Sequence, residues 1–387
     1  MPVLLVRRKG AAAVLGCLGF ILIGWSGLLI PSLIRSVELG FHKTDGDIGL
    51  FYFVYAVCYA TGSFGGGLLT ERLGRRTVLG LALGIHALGF AALAIAPVWP
   101  LFLLAAIPAG LGGGEMDGGV NGLFLDLFTT NRGRGLSALH LFYGVGALLS
   151  PFFVGRLVEA GVAWQAIVLG TAIAMLPVAL LYTLTDMPTG HHEVAETGSR
   201  IRVGFALPLV ALAIAIGCYV AAEIGVSSWL VRFLGSAPLT TATGALSLFW
   251  LGLTLGRLMS AVLGDRFDHL RFAVIAAFVS GVALFGAVVV PDLTVSIALL
   301  AVVGFAFGPV YPLIMTVAGQ RFPGRTAAIS GLLAGAAVVG GTLYPPAMGP
   351  LSETVGLGAA MVGAGVLAVA SAGALLLVRR PAALNTA

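Results

Sequence analysis

Apolar residues run through this chain in long blocks of about 20 or more, separated by short clusters rich in Gly, Pro, Arg and acidic residues. Blocks of that length match a helix crossing a hydrocarbon layer about 30 Å thick, and at roughly 30 residues per crossing and connection 387 residues allow about a dozen. Twelve are predicted, over 12–36, 47–70, 77–97, 100–128, 135–158, 163–185, 205–233, 239–262, 271–291, 293–319, 326–351 and 355–378. The connections at Pro97–Pro100 and Pro291–Asp292 are very short. The fold class expected is an all-α membrane protein of twelve spans.

Composition agrees, with 59% hydrophobic and 10% charged residues and 56 glycines, which excludes a soluble globular domain. Charge orients the spans. With the N-terminus cytoplasmic, the inner segments collect Arg7, Arg8, Lys9, Arg72, Arg75, Arg76, Arg132, Arg134, Arg200, Arg202, Arg266, Arg271, Arg321, Arg325, Arg379 and Arg380, sixteen of the 21 basic residues. Both termini are then expected inside a multi-pass inner (cell) membrane protein in contact with the lipid bilayer. The net charge of +5 follows this topology and is spread over many loops, so no nucleic-acid partner is expected. Cys17, Cys58 and Cys218 fall within spans and imply no disulfide framework. Ala11–Ile30 follows a basic start as a signal peptide would, but it is too long and lacks a cleavage site, and is read as the first span.

A shift of 194 residues superposes Gly110 on Gly304, Gly114 on Gly308, Gly146 on Gly340, Pro151 on Pro345, Gly155 on Gly349 and Glu159 on Glu353. Such register implies a parallel duplication of six helices. The expected domains are an N-terminal bundle, 1–185, a cytoplasmic linker, 186–204, and a C-terminal bundle, 205–387. The linker carries His191, His192, Glu193 and Glu196, but adjacent histidines without further ligand spacing read as solvated, and no metal site or cofactor is expected.

The most specific motif lies between the second and third spans, Gly67–Arg76, GLLTERLGRR. It resembles the G-x-L-x-D-R-x-G-R-R signature of the major facilitator superfamily, with Glu71 where Asp is usual. A decayed copy, Gly264, Asp265 and Arg266, follows the eighth span. The resemblance implies two six-helix bundles that expose a central site alternately to each side. It also makes Gly67, Glu71, Arg72, Gly74, Arg75, Arg76, Asp265 and Arg266 gating residues, through close helix approach and charge-assisted bonds at the cytoplasmic ends. Gly110–Leu127, Leu136–Pro151 and Tyr219–Trp229 are similar to the fucose permease and sodium-dependent glucose transporter-like branches. That resemblance implies a sugar as substrate.

The residues themselves point to a polar site. Asp117 and Asn121 share one face, one turn apart, in a stretch from Trp99 to Phe128 without Lys or Arg, where a carboxylate is costly and reads as functional. Together they offer acceptors and donors to a hydroxyl-rich ligand. Glu115, about 200° around the helix from Asp117, faces elsewhere, toward a neighbouring helix or the outer opening. Glu223 stands mid-span with Tyr219 one turn before it and Ser227 one turn after. In transporters of this architecture the substrate lies at the midplane between repeats, so Asp117 and Glu223 are expected to converge.

Trp25, Trp229, Trp250, Tyr143, Tyr311 and Tyr344 are candidate rings for stacking a pyranose, with Trp25, Trp229, Tyr143, Tyr219 and Tyr311 taken as substrate-binding alongside Asp117, Asn121 and Glu223. Tyr52, Tyr55 and Tyr59 form a stripe that lines either a cavity or a helix contact. Asp117, Glu223 and His140 are the candidates for ion coupling, whereas His86 is read as structural. Arg257, in the eighth span, is expected to pair with an acid or hold a cluster of carbonyls, with substrate contact the lesser alternative.

The chain departs from fucose permeases in lacking an acid in the first span, Gly24–Pro31, and in offering Tyr143 where they have an Asn. Coupling to H+, coupling to Na+ and uncoupled facilitation all stay open, as does direction. No nucleotide-binding loop is present, and no enzyme activity is expected. The reading adopted is a monomeric transporter of a monosaccharide or similar small polar solute, probed against proton-coupled multidrug export, to which Gly144–Gly155 bears a loose similarity.

Overall fold

A computed structural model describes residues 2–130, 132–187, 207–263, 266–323 and 325–378. Among these the chain is all helix, with fourteen helices: α1 (Pro2–Gly27), α2 (Leu29–Phe41), α3 (Asp45–Leu73), α4 (Arg75–Ile95), α5 (Trp99–Leu127), α6 (Arg132–Glu159), α7 (Trp164–Leu184), α8 (Leu207–Phe233), α9 (Leu239–Leu263), α10 (His269–Val289), α11 (Leu293–Phe307), α12 (Val310–Arg321), α13 (Thr326–Val355) and α14 (Leu357–Leu377). Eleven segments are long and apolar enough to cross a membrane. The further helix of crossing length is α5, which has 29 residues and carries Glu115, Asp117 and Asp126. Helices satisfy every backbone polar group internally, which is why a chain dissolved in lipid takes this form.

Fourteen helices make twelve spans because two are broken. Pro31 has no N–H to give the Gly27 carbonyl, and α1 ends there; Ser32 bonds the Leu28 carbonyl through both its N–H, at 3.0 Å, and its hydroxyl, at 2.6 Å. The first span consequently runs on to Phe41, beyond the expected 36. Pro309 breaks the tenth span in the same way, between α11 and α12.

The chain divides into two compact units. Unit 1 comprises Met1–Lys43, Phe51–Ser199 and Pro238–Thr243; unit 2 comprises Thr44–Leu50, Arg200–Ala237 and Gly244–Ala387. Two short segments thus differ from the simple halves expected from sequence, since 44–50 belong to unit 2 and 238–243 to unit 1. Most of the expected linker, 188–204, lies outside the described residues.

Within unit 1, α4 packs on α5 and α7, and α1 on α6; within unit 2, α10 packs on α11 and α14, and α8 on α13. By span number these are the same pairs, as duplication requires. The glycines in register explain how. A Cβ on Gly114 would lie 1.8 Å from the Tyr59 carbonyl, and one on Gly308 would lie 2.4 Å from that of Leu253, 194 residues beyond Tyr59. Gly110 meets the Tyr55 carbonyl at 2.6 Å and Gly304 that of Phe249 at 2.1 Å; Gly146 meets Ile21 at 2.0 Å and Gly340 meets Gly217 at 2.0 Å. Lipid supplies no hydrophobic drive for helix association, so backbones packed this closely are what holds the spans together.

The packing can be tested by comparing two glycines. Gly114→Ala forces a methyl onto the Tyr59 backbone and should destabilise by about 1–3 kcal/mol, whereas Gly244→Ala enters open space. Thermal unfolding in detergent should show a lowered midpoint for Gly114→Ala alone. Equal midpoints would refute the assigned α3–α5 contact.

Candidate functional site

In unit 1 the polar centre is built on α5. The Asn121 amide donates to Asp117 Oδ1 at 3.0 Å and also to the Asp117 carbonyl at 3.0 Å, the geometry expected of residues one turn apart. The Tyr59 hydroxyl, from α3, donates to the same carboxylate. Tyr55 packs beside Tyr59 with ring centres 6.0 Å apart, so part of the tyrosine stripe lines this centre. Among the described residues no basic side chain pairs with Asp117. Both Asp117 and Asn121 remain partly exposed.

Its counterpart in unit 2 is built on α8. Glu223 is 7% exposed and accepts a hydrogen bond from the Tyr219 hydroxyl one turn away. Arg257 of α9 donates to Glu223 Oε1 at 3.4 Å. The expected partner of Arg257 is therefore Glu223. The Tyr219 ring meets Phe307 edge-on at 5.6 Å. The two carboxylates differ in kind: Glu223 is offset by a guanidinium, and among the described residues Asp117 is held by neutral donors.

Other candidates take other places. The fully buried Trp229 donates its indole N–H to the Pro345 carbonyl at 2.8 Å, so it anchors α8 to α13 and presents no face to a solute; its position mid-helix concealed this from the sequence reading. Trp25 donates to Thr171 at 3.0 Å, committing its polar edge to α7. Tyr143 and His140, both of α6, meet Phe20 of α1 edge-on at 6.4 and 5.6 Å. Tyr311 is half-buried near the start of α12. Glu115 faces α3, where Gly66 leaves room for its side chain: a Cβ on Gly66 would lie 3.1 Å from Glu115 Cγ. His86 is fully buried between Ser26, at 2.8 Å, and the Ala109 carbonyl, at 2.6 Å, and has the structural role expected of it.

In the motif loop Gly74 takes φ 79°, a left-handed conformation that favours glycine, and lets α3 turn at once into α4. The next residue, Arg75, is 8% exposed and bonds Asp126 at the end of α5 at 2.6 Å. Asp126 escaped the sequence reading; its signal was an acid at the end of a span whose neighbour carries the arginine motif. Arg72, Arg76 and Arg266 are exposed. Asp265 lies outside the described residues, as do the surroundings of Gly67 and the side chain of Glu71. No cluster of three His, Cys, Asp or Glu suited to a metal occurs among those described.

Helices of this number, length and apolar composition, with a polar centre within a long helix of each unit, are those of a multi-span membrane protein. Residues 12–244 match the family model of the Major Facilitator Superfamily, and the chain belongs to that family. It is 25% identical over 353 residues to a glucose/galactose transporter of Brucella abortus, covering 85% of this chain and 84% of that one. Among solved structures it resembles a bacterial homolog of the human lysosomal transporter Spinster, captured inward-facing and occupied, with TM-score 0.78, 16% identity and 96% of each chain covered. It also resembles a D-xylose–proton symporter, with TM-score 0.77 and 16% identity over 96% of this chain and 98% of that one. At such identities these structures establish the fold, and the family is one of transporters rather than enzymes.

The Glu223–Arg257 pair carries a stability prediction. Arg257→Ala would leave a buried carboxylate held by Tyr219 without its cation, costing about 3 kcal/mol, the low end for breaking a buried pair because Arg257 is itself 26% exposed. Adding Glu223→Gln should recover most of the lost thermal midpoint. A double variant no more stable than Arg257→Ala would show that the charge imbalance is not the cause.

Proposed function

We propose that this protein carries a monosaccharide or similar small polar solute across the cell membrane by alternating access, in symport with protons. The observation behind the proposal is the Asp117 centre. An aspartate, an asparagine amide and a tyrosine hydroxyl meet beside a second tyrosine ring, within an apolar helix and, among the described residues, with no cation paired to the acid. Sugar hydroxyls need both donors and acceptors, and a pyranose face needs an aromatic or apolar wall; this centre supplies each. The similarity to a Brucella abortus glucose/galactose transporter supports the same substrate class.

Proton coupling is favoured over sodium by the kind of partner Asp117 has. Asn121 N–H and Tyr59 O–H are donors, and they occupy the carboxylate with hydrogens. A hard cation needs several oxygen acceptors turned toward it, whereas Asn121 and Tyr59 turn N–H and O–H toward the carboxylate. Because Glu223 already has Arg257, Asp117 is the group whose protonation would change the charge of its unit most simply. The protein acts as a monomer with both termini cytoplasmic, in keeping with its distribution of arginines.

Proteoliposomes decide the matter. Labelled glucose, galactose and fucose are offered under an imposed proton gradient and, separately, under a sodium gradient. Accumulation under the proton gradient is expected, and Asp117→Asn should abolish accumulation while sparing thermal stability and downhill counterflow. Accumulation with sodium alone would overturn the coupling ion; movement of lipophilic cations and of no hexose would replace the sugar reading with export.

A further inference from the structure

Two ion pairs within the units are built in opposite ways. In unit 1 Arg75 is 8% exposed and meets Asp126 at 2.6 Å, a short charge-assisted bond with the cation turned inward. In unit 2 the acid is the buried partner and the cation the open one. Arg257 is 26% exposed, and its Nη2 stands 3.4 Å from Glu223 Oε1, longer than the roughly 2.7–2.9 Å of a close charge-assisted bond. Tyr219, which donates to the other oxygen of Glu223, is itself 1% exposed. The face that this centre presents is therefore basic.

That face is neither at the helix end nor on the apolar side of α9. Glu223 lies sixteen residues after the start of α8 at Leu207 and ten before its end at Phe233, so the guanidinium that reaches it sits deep in the span, away from the ends where long basic side chains find water. The exposed apolar residues of α9, Leu248, Leu251, Leu255, Leu258 and Val262, form one stripe. Arg257 is about 140° around the helix from the middle of that stripe, so it is not open toward lipid.

Stability does not account for the arrangement. A guanidinium at this depth is expensive, and a buried ion pair holds a fold no better than apolar residues of the same volume. Hydroxyls do not account for it either, since the Asp117 centre offers donors and acceptors without a cation among the described residues. What a planar, partly open guanidinium matches is a carboxylate, whose two oxygens accept from adjacent N–H groups. Because Glu223 balances the charge of Arg257, the centre favours a monoanion over a doubly charged phosphate.

We propose that Arg257 receives a carboxylate of the transported solute, which is thus a hydroxylated acid, with a hexuronate as its sugar form. Arg257 N–H groups donate to the carboxylate oxygens, and Glu223, held by the Tyr219 hydroxyl, is the positioning residue that keeps the guanidinium in place. The inference deepens the sugar reading and rests on it for the hydroxylated part of the solute; the carboxylate site rests on unit 2 alone.

The test is titration calorimetry on the purified full chain in detergent, with D-glucose, D-glucuronate, the neutral methyl ester of glucuronate, and D-lactate as an acid without a sugar ring. The chains compared are the parent, Arg257→Lys, and the double variant Arg257→Gln with Glu223→Gln, which removes both charges together and strands neither. The parent should bind glucuronate about tenfold more tightly than glucose or the ester, the worth of a hydrogen bond to a charged group. The double variant should lose that preference, and Arg257→Lys, which keeps the charge without the planar fork, should retain about threefold. Where the double variant does not fold, Arg257→Lys decides, and an unaltered preference there would overturn the proposal. A parent that binds glucose and glucuronate alike, or a preference that survives in the double variant, would overturn the carboxylate site and leave the sugar reading standing. Lactate bound in the parent and lost in the double variant, with neither sugar bound, would uphold the carboxylate site and overturn the sugar reading. Binding of none of the four would overturn both.

Discussion

Close approach of helix backbones through glycine is the constraint on which both polar centres depend. Gly110 and Gly114 let α5 lie directly against the carbonyls of Tyr55 and Tyr59, and that contact is what brings the Tyr59 hydroxyl to Asp117. In the other repeat Gly304 and Gly308 bring the tenth span against Phe249 and Leu253 of α9, in the helical turn that leads to Arg257. A side chain at any of these glycines would part the helices by the width of a methyl group or more. The polar groups would then stand in lipid-like surroundings without partners, where each costs far more than it does in water.

From this shared frame the two repeats have come to hold their acids differently. Glu223 is a buried carboxyl group held by a guanidinium and a tyrosine, an arrangement that fixes its position. Asp117 has an amide and a hydroxyl, which orient the carboxylate without neutralising it. An acid held in this way can lose or gain a proton without stranding a partner cation, and this asymmetry is the physical basis for assigning coupling to one repeat.

The motif loop between α3 and α4 works by the same economy of space. Gly74 turns α3 into α4 in a conformation that disfavours other residues, and the turn delivers the nearly buried Arg75 to Asp126. The bond ties the start of the third span to the end of the fourth, the helix that carries Asp117. Packing, motif loop and polar centre in unit 1 are thus joined through α5.

Much of this was legible in the residues themselves. The length and spacing of the apolar blocks determined the spans, because lipid allows few alternatives to a helix of about 20 residues. The repeat register determined which glycines would be contact points, and an unaccompanied carboxylate mid-span marked Asp117 and Glu223, since such charges are not kept in membranes without use. Sequence could not determine partners across helices. Whether the tyrosine stripe met a cavity or a helix, whether Trp229 faced a solute or Pro345, and that Asp126 was the acid for Arg75 were all decided by tertiary packing. Periodicity tells which face of a helix a residue occupies, but the neighbour on that face depends on how the other helices are arranged around it.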